Sequence, residues 1–237
     1  MRSIPVIRAV VLASLLVLAC CATAEETEST SADLVAKKKF LATYPIGARF
    51  TEGGTYDPVG HDFYVGSLAD GSVHRIHAAT GAETTAWRET APGKWWSLGM
   101  DVDKSRRRLW ICAMDDAQQP RTGFVWVYDL VSKKRIASHA LSAAAPNATC
   151  TDVVVTNAGV AYVVDRELGR IYRVDAKTGA TLFVADPALD KPRFGVAGQN
   201  AAVVLPDQSA LLSVIYGPLP RLVHVHLKTK AVREWVC

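Results

Sequence analysis

Apolar residues between residues 40 and 237 recur in short runs, separated by polar turn signals such as Asp70-Gly71 and Thr178-Gly179. The runs are rich in β-branched and aromatic residues, which is typical of strands. None of them sustains the period near 3.6 residues that marks an amphipathic helix. The pattern therefore predicts an all-β fold and excludes a helical repeat.

The strands follow a repeating plan. Four segments share one order: a strand, a polar turn, a second strand, a turn with glycine or proline, an alternating third strand and an outer strand. The second strands align on Tyr64, Trp110, Tyr162 and Leu212, which are 46, 52 and 50 residues apart. Such repeats are typical of β-propeller blades, in which four strands form a sheet packed between neighbouring sheets. The sequence predicts a propeller domain over residues 40–237, with blades near 49–90, 95–142, 150–187 and 198–237.

The first 24 residues have the pattern of an export signal. Arg2 and Arg8 give a positively charged start, and residues 10–18 form an apolar stretch too short to span a bilayer comfortably. Two processing routes fit this pattern. In one, Val17-Leu18-Ala19-Cys20 resembles a bacterial lipobox and Cys20 is lipidated; in the other, Ala22-Thr23-Ala24 directs cleavage before residue 25.

Either route predicts a protein outside the cytoplasm, as a periplasmic or cell-envelope lipoprotein or as a secreted protein. A lipid on Cys20 would be its link to a membrane. Residues 25–39 begin with an acidic, Ser- and Thr-rich stretch that is poor in large apolar residues. This composition predicts a polar tether between the export signal and the folded domain.

Composition and charge fit a packed domain without a polyanionic partner. The chain is 49% hydrophobic and 21% charged, and without residues 1–24 it has 25 basic and 23 acidic residues. Basic runs occur at residues 37–39, in the predicted tether, and at 106–108, in a predicted hairpin turn. We interpret both runs as solvated surface, so no nucleic-acid partner is expected.

Three cysteines lie beyond the export signal: Cys112, Cys150 and Cys237. An odd number cannot pair completely within one chain. One disulfide in an oxidising compartment and three buried thiols both fit the sequence. No cysteine or histidine spacing resembles a zinc site.

The mouth of the central channel is the expected place for chemistry. The repeat alignment carries Glu52 to Leu98, then to Thr151 and then to Asn200, so these four residues should converge on one rim. Glu52 and Asn200 offer the oxygen donors that a hard divalent cation takes, and Ca²⁺ is the natural candidate.

The sequence around these positions also resembles that of a known protein family. Phe50-Thr51-Glu52-Gly53, Thr151-Asp152-Val153-Val154 and Asn200-Ala201-Ala202-Val203-Val204, with the strands beginning at Phe63 and Ala161, resemble the SMP-30/gluconolactonase/LRE-like family over residues 40–230. The resemblance implies a β-propeller of the six-bladed type, of which four blades are present. It also implies hydrolysis of lactones or related esters, with one divalent metal at the top of the channel.

Some of the functional residues of this family have counterparts in this chain. Glu52 matches the metal-binding glutamate, and Asn200 matches a metal-binding asparagine, although Ala201 replaces the usual glycine. Thr151 stands where many relatives have an asparagine, and we assign it to substrate binding. The family's later metal-binding aspartate has no counterpart, because the blade that carries it is absent.

Asp152 and Asp165 are the candidate catalytic residues, because either carboxylate could act as general base or replace the missing ligand. Asp165 ends a strand, which also suits a residue that caps the following turn.

Three hypotheses for the function remain: a metal-dependent lactone or ester hydrolase, a non-catalytic propeller that binds a protein or small ligand, and a truncated, inactive family member. Self-association through open blade edges is expected if four blades do not close a ring.

Overall fold

The computed structural model describes residues 46–48, 50–190, 198–216 and 220–236. The described residues belong to one compact unit, Tyr44–Cys237. The predicted export signal, Cys20 and the tether lie outside the described residues, as does Cys237.

Within the described residues, sixteen strands form four antiparallel sheets in chain order. The first sheet contains β1 (Thr51–Asp57), β2 (Asp62–Ser67), β3 (Val73–His77) and β4 (Glu83–Trp87). The second contains β5 (Trp95–Asp103), β6 (Arg108–Asp115), β7 (Thr122–Asp129) and β8 (Lys134–Ala140). The third contains β9 (Asp152–Val155), β10 (Ala161–Asp165), β11 (Arg170–Asp175) and β12 (Gly179–Ala185). The fourth contains β13 (Gln199–Val204), β14 (Ala210–Ile215), β15 (Arg221–His226) and β16 (Val232–Val236).

Each sheet is a simple meander in which consecutive strands pair. The innermost strands lie side by side, with β1 next to β5, β5 next to β9 and β9 next to β13. The architecture is a β-propeller with four blades, which confirms the predicted all-β propeller fold. Two short 3-10 helices, Leu141–Ala143 and Pro187–Leu189, follow the second and third blades.

Strand β6 shows why these strands are apolar on both faces. Leu109, Ile111 and Ala113 pack in the core between the first and second blades. Trp110 and Cys112, at the alternate positions, pack in the core between the second and third blades. Because side chains of a strand point alternately to opposite faces, a sheet inside a propeller must be apolar at successive positions. Burying each large side chain contributes about 2 kcal/mol.

The two end blades each leave one face less covered. Tyr64 packs towards the second blade, so its neighbour Phe63 and the paired Tyr56 face the other way, with 38% and 41% exposure. On the fourth blade, Leu211 packs towards the third blade, whereas Val203 and Trp235 are 55% and 49% exposed. Large apolar side chains are therefore exposed at both ends of the blade series.

Cys112 and Cys150 form a disulfide, with their Cα atoms 5.6 Å apart, and both residues are fully buried. The bond joins β6 to the segment that leads into β9. It settles the choice between a disulfide and free thiols that the cysteine count left open.

Candidate functional site: the channel mouth

The mouth of the channel brings together residues from all four innermost strands. A cavity of about 180 Å³ is lined by Glu52 of β1, Gly99 of β5, Thr151 and Asp152 at the start of β9, and Asn200 of β13. Glu52, Thr151 and Asn200 therefore share one cavity, although they are distant along the chain. Asp152, predicted as a catalytic residue, lies in the same cavity.

Leu98 was predicted to share this rim, and that prediction is wrong. The pairing of β5 with β6 is irregular between Ser97 and Met100, at the position where β1 and β13 are irregular as well. Leu98 lies instead in the core between the second and third blades and is almost fully buried. Gly99 occupies the rim position.

Asp152 is fixed between two blades by its carboxylate. Oδ1 accepts a hydrogen bond from the backbone N–H of Val153 at 2.8 Å, and Oδ2 accepts one from Ala202 of the fourth blade at 3.0 Å. Gly99 allows this arrangement, because a Cβ atom there would collide with Oδ1. The side chain is still partly exposed to the cavity.

The pKa of Asp152 is raised to about 7, chiefly by burial and also by the negative charges of Glu52 and Asp101. The two backbone hydrogen bonds act in the opposite direction and are outweighed. Near neutral pH, the carboxyl group of Asp152 is therefore present in both its protonated and its ionised form. That is the state in which one group can both accept and release a proton.

The pKa of Glu52 is also raised by burial, and the positive charge of Arg166 partly offsets this effect. Arg166 lies in the turn between β10 and β11. Its buried Nε atom has no hydrogen-bond partner among the described residues and is 3.8 Å from a carboxylate oxygen of Glu167. Nothing in the spacing of this turn residue along the sequence indicates that its charge acts on Glu52.

Asp101 has the same kind of inter-blade contact as Asp152. Its Oδ2 accepts a hydrogen bond of 2.8 Å from the backbone N–H of Val155 in the third blade. Burial raises its pKa as well. Asp101 lines a wider part of the channel, of about 350 Å³, but not the mouth cavity around Glu52.

Asp165 occupies a different environment. Its fully buried carboxylate accepts hydrogen bonds from the Thr149 hydroxyl at 2.5 Å, the Tyr172 hydroxyl at 2.9 Å and the backbone N–H of Glu167 at 3.0 Å. It is not among the residues that line the mouth cavity. The bond to Glu167 is the turn cap that the end of a strand suggested.

The oxygen atoms that the described residues place at the mouth are of the type that a hard cation binds, but there are fewer of them than such a cation needs. The hydroxyl oxygen of Thr151 is buried and has no hydrogen-bond partner among the described residues, and Glu52 and Asn200 add a carboxylate and an amide oxygen. Such oxygens suit Ca²⁺, which takes six to eight of them and completes its shell with water. Across the described residues, no group of three His, Cys, Asp or Glu side chains could hold a metal ion.

A serine–histidine–glutamate series in the first blade was not foreseen. Ser72 Oγ is 2.9 Å from His74 Nε2, and His74 Nδ1 is 2.6 Å from Glu83 Oε1. However, Ser72 is fully buried, and its hydroxyl also donates to Asp70 at 2.7 Å. Glu83 in turn accepts two hydrogen bonds from the backbone N–H of Gly47. The series therefore fastens the chain around residue 47 to the first blade rather than presenting a nucleophile.

Among the described residues, no helix is long and apolar enough to cross a membrane. No protein-family model matches this chain, and no curated protein matches it.

Several solved structures share the fold. A chain of hydrazine synthase from Kuenenia stuttgartiensis is 15% identical, with a TM-score of 0.58 over 84% of this chain and 53% of that chain. A chain of a nidogen/laminin complex is 17% identical, with a TM-score of 0.59 over 80% of this chain and 65% of that one. The allergen Mala s 1 from Malassezia sympodialis is 12% identical, with a TM-score of 0.51 over 79% of each chain.

At these identities, the similarity shows the fold alone. It places the chain in the structural class of β-propellers. The chain spans about half of the hydrazine synthase chain and just under two thirds of the chain from the nidogen/laminin complex.

Proposed function

We propose that this chain is an exported hydrolase of lactones or related esters that acts at the channel mouth. The observation that supports this most is Asp152, a partly exposed carboxyl group with a pKa near 7 in a cavity shared with Glu52, Thr151 and Asn200. A general base works best when its pKa lies near the operating pH.

In this reaction, Asp152 takes a proton from a water molecule as the water oxygen adds to the substrate carbonyl carbon. The carbon–oxygen bond to the leaving alkoxide then breaks, and the alkoxide accepts the proton, giving a hydroxy acid from a lactone. Thr151, whose hydroxyl has no partner among the described residues, and the amide of Asn200 would orient the substrate by hydrogen bonds.

Glu52 and the amide oxygen of Asn200 would hold a divalent cation, with Ca²⁺ as the expected ion. When bound, such an ion polarises a carbonyl group as a Lewis acid. Because Glu52 is the one full carboxylate in this set and Arg166 lies close enough to affect it, we expect weak binding.

The proposal of export has support from the Cys112–Cys150 disulfide. Disulfides persist in oxidising compartments such as the periplasm and the extracellular space. The N-terminal charge and hydropathy pattern points the same way.

A non-catalytic ligand-binding propeller is the second candidate, and one observation favours it. Both carboxylate oxygens of Asp152 already accept backbone hydrogen bonds, one of which joins two blades. A carboxylate used in this way can serve the fold alone, and the mouth would then bind its ligand without converting it.

One experiment distinguishes the hydrolase from the binding propeller. The full chain is incubated with aliphatic γ- and δ-lactones and p-nitrophenyl esters, with Ca²⁺ or with a chelator, and acid release is followed. Turnover that chelation abolishes supports the cation-dependent hydrolase. Binding of the same compounds by calorimetry, without acid release under either condition, supports the binding propeller.

A further inference from the structure

A second cavity lies between the first and second blades, near Asp57 and therefore at the opposite end of β1 from Glu52. Its volume is about 430 Å³, within the range of roughly 300–1,000 Å³ that is typical of small-molecule sites. The turn residues Arg107 and Lys133 of the second blade and the outer strand β4 of the first blade contribute to its lining.

One wall of this cavity is aromatic. Trp87 stacks on Tyr64 with ring centroids 5.6 Å apart, and it also contacts Tyr128 at 4.4 Å. The indole N–H donates a hydrogen bond to the backbone oxygen of Lys133 at 3.2 Å, which fixes the ring. A rigid aromatic wall of this kind suits the apolar face of a ring-shaped ligand.

The charges around the cavity leave one positive charge uncompensated. Arg75 pairs with Asp62 at 3.2 Å, and Arg107 pairs with the buried Asp57. Lys133 forms no salt bridge with any residue that the structure describes, and its side chain is exposed at the rim. This uncompensated positive charge favours a ligand that carries a single negative charge.

Hydrogen-bonding groups that suit a hydroxylated ligand complete the lining. Asp62 is almost fully buried, and its Oδ1 atom has no hydrogen-bond partner within the described part of the chain. Thr84 and Thr85 add hydroxyl groups. Buried polar groups without partners cost stability, so a ligand that supplies donors here is favoured.

We propose that this cavity binds a carbohydrate acid: a sugar-sized ring that carries hydroxyl groups and one carboxylate. The carboxylate pairs with Lys133, the hydroxyl groups bond to Asp62 and Thr84, and the ring packs on Trp87. The site is separate from the channel mouth and does not depend on the function proposed for it.

The test uses three probes of similar ring size in isothermal titration calorimetry on the full chain. D-Glucuronate has both the charge and the hydroxyl groups, D-glucose lacks the charge, and cyclohexanecarboxylate lacks the hydroxyl groups. We expect D-glucuronate to bind at least about tenfold more tightly than either of the others, since each lacks one set of charge-assisted or neutral hydrogen bonds.

A matched pair of variants locates the site. Lys133 and Lys230 occupy equivalent left-handed turn positions, with φ of 57° and 61°, in the second and fourth blades. Asparagine tolerates this backbone conformation, so Lys133→Asn and Lys230→Asn should both fold. We expect Lys133→Asn to weaken D-glucuronate binding at least about tenfold and Lys230→Asn to leave it unchanged. Equal binding of the three probes, or equal effects of the two variants, would overturn the proposal.

Discussion

Arg107 donates two hydrogen bonds, of 2.5 and 2.7 Å, to the carboxylate of Asp57, although the two residues belong to different blades. Asp57 ends β1 and is fully buried, while Arg107 lies in the turn between β5 and β6. The basic run at residues 106–108 is therefore not simply solvated surface, as its sequence suggested. Its central residue, Arg107, forms a salt bridge that connects the first and second blades.

Replacing Arg107 by lysine should lower the free energy of unfolding by about 2–3 kcal/mol, because an ammonium group cannot donate the paired hydrogen bonds of a guanidinium. Urea unfolding at pH 7 measures the change. Arg106→Lys is the matched control: Arg106 donates one 3.2 Å bond to Asp103 and one to the backbone oxygen of Asn157, from a more exposed position and without a bidentate carboxylate pair, and its replacement should cost less than about 1 kcal/mol. Equal losses in the two variants would contradict a special role for the Arg107–Asp57 pair.

The same pair predicts an acid-sensitive contribution to stability. Burial alone would raise the pKa of Asp57, but its hydrogen bonds with Arg107 and with backbone amides lower it below the ordinary 3.8. A carboxyl group with a lowered pKa in the folded state contributes stability above its unfolded pKa and loses it as the pH falls. Between pH 5 and pH 2.5, the wild type should therefore lose more stability than Asp57→Asn. Parallel losses in thermal unfolding would show that the pair does not titrate in this way.

Asp152 should act as the general base of the proposed hydrolase. The ratio kcat/KM should rise with pH through a midpoint near 7, where Asp152 of the free enzyme loses its proton, and Asp152→Asn should lower kcat about 100-fold or more. Asp101→Asn is the control, because Asp101 also joins two blades by a backbone hydrogen bond; since its charge is the smallest contribution to the raised pKa of Asp152, its loss should lower the midpoint only slightly and leave the maximal rate unchanged. If both variants lose activity equally, the effect of Asp152 is structural.

Asp152 also predicts a pH dependence of stability with the opposite sign to that of Asp57. Because its pKa is higher in the folded state than the 3.8 of an ordinary aspartate, the folded state binds more protons between these two values. Stability from this group is present at low pH and is lost as the pH rises through 7. From pH 5 to pH 8, the wild type should lose about 2 kcal/mol relative to Asp152→Asn. Urea unfolding at the two pH values tests this, and a constant difference would contradict the raised pKa.

Calcium titration of the full chain tests the cation at the mouth. We expect weak binding, with measurable heat at millimolar concentration, because two or three protein oxygens provide much less than a full coordination shell. Glu52→Gln should abolish the signal, while Glu234→Gln, on the outer strand of the fourth blade, should leave it unchanged. An absence of heat at millimolar calcium would favour the binding propeller.

The sequence was sufficient for the fold because every blade repeats one apolar plan, as β6 shows by supplying two cores from alternate positions. It also brought Glu52, Thr151 and Asn200 to one cavity, since equivalent positions of successive blades must meet at the axis. The prediction for Leu98 was wrong because its apolar side chain is stabilised in the core between two blades, whereas Glu52 and Asn200 stay exposed at the same irregular position of β1 and β13. The raised pKa of Asp152 and the position of Arg166 depend on contacts between blades, which no local pattern records.

The exposed ends of the blade series predict self-association. Tyr56 and Phe63 at one end, and Val203 and Trp235 at the other, expose apolar surface that propeller sheets normally bury against a neighbour. If the fourth blade of one copy packs on the first blade of the next, the contact is head-to-tail and can extend beyond a dimer. Light scattering should therefore give a mass above that of one chain, rising with protein concentration.

Trp235→Glu should shift the protein towards the monomer, whereas Val131→Glu, in an exposed turn of the second blade, should have no effect. A wild-type protein that stays monomeric at high concentration would show that these faces do not bind another copy.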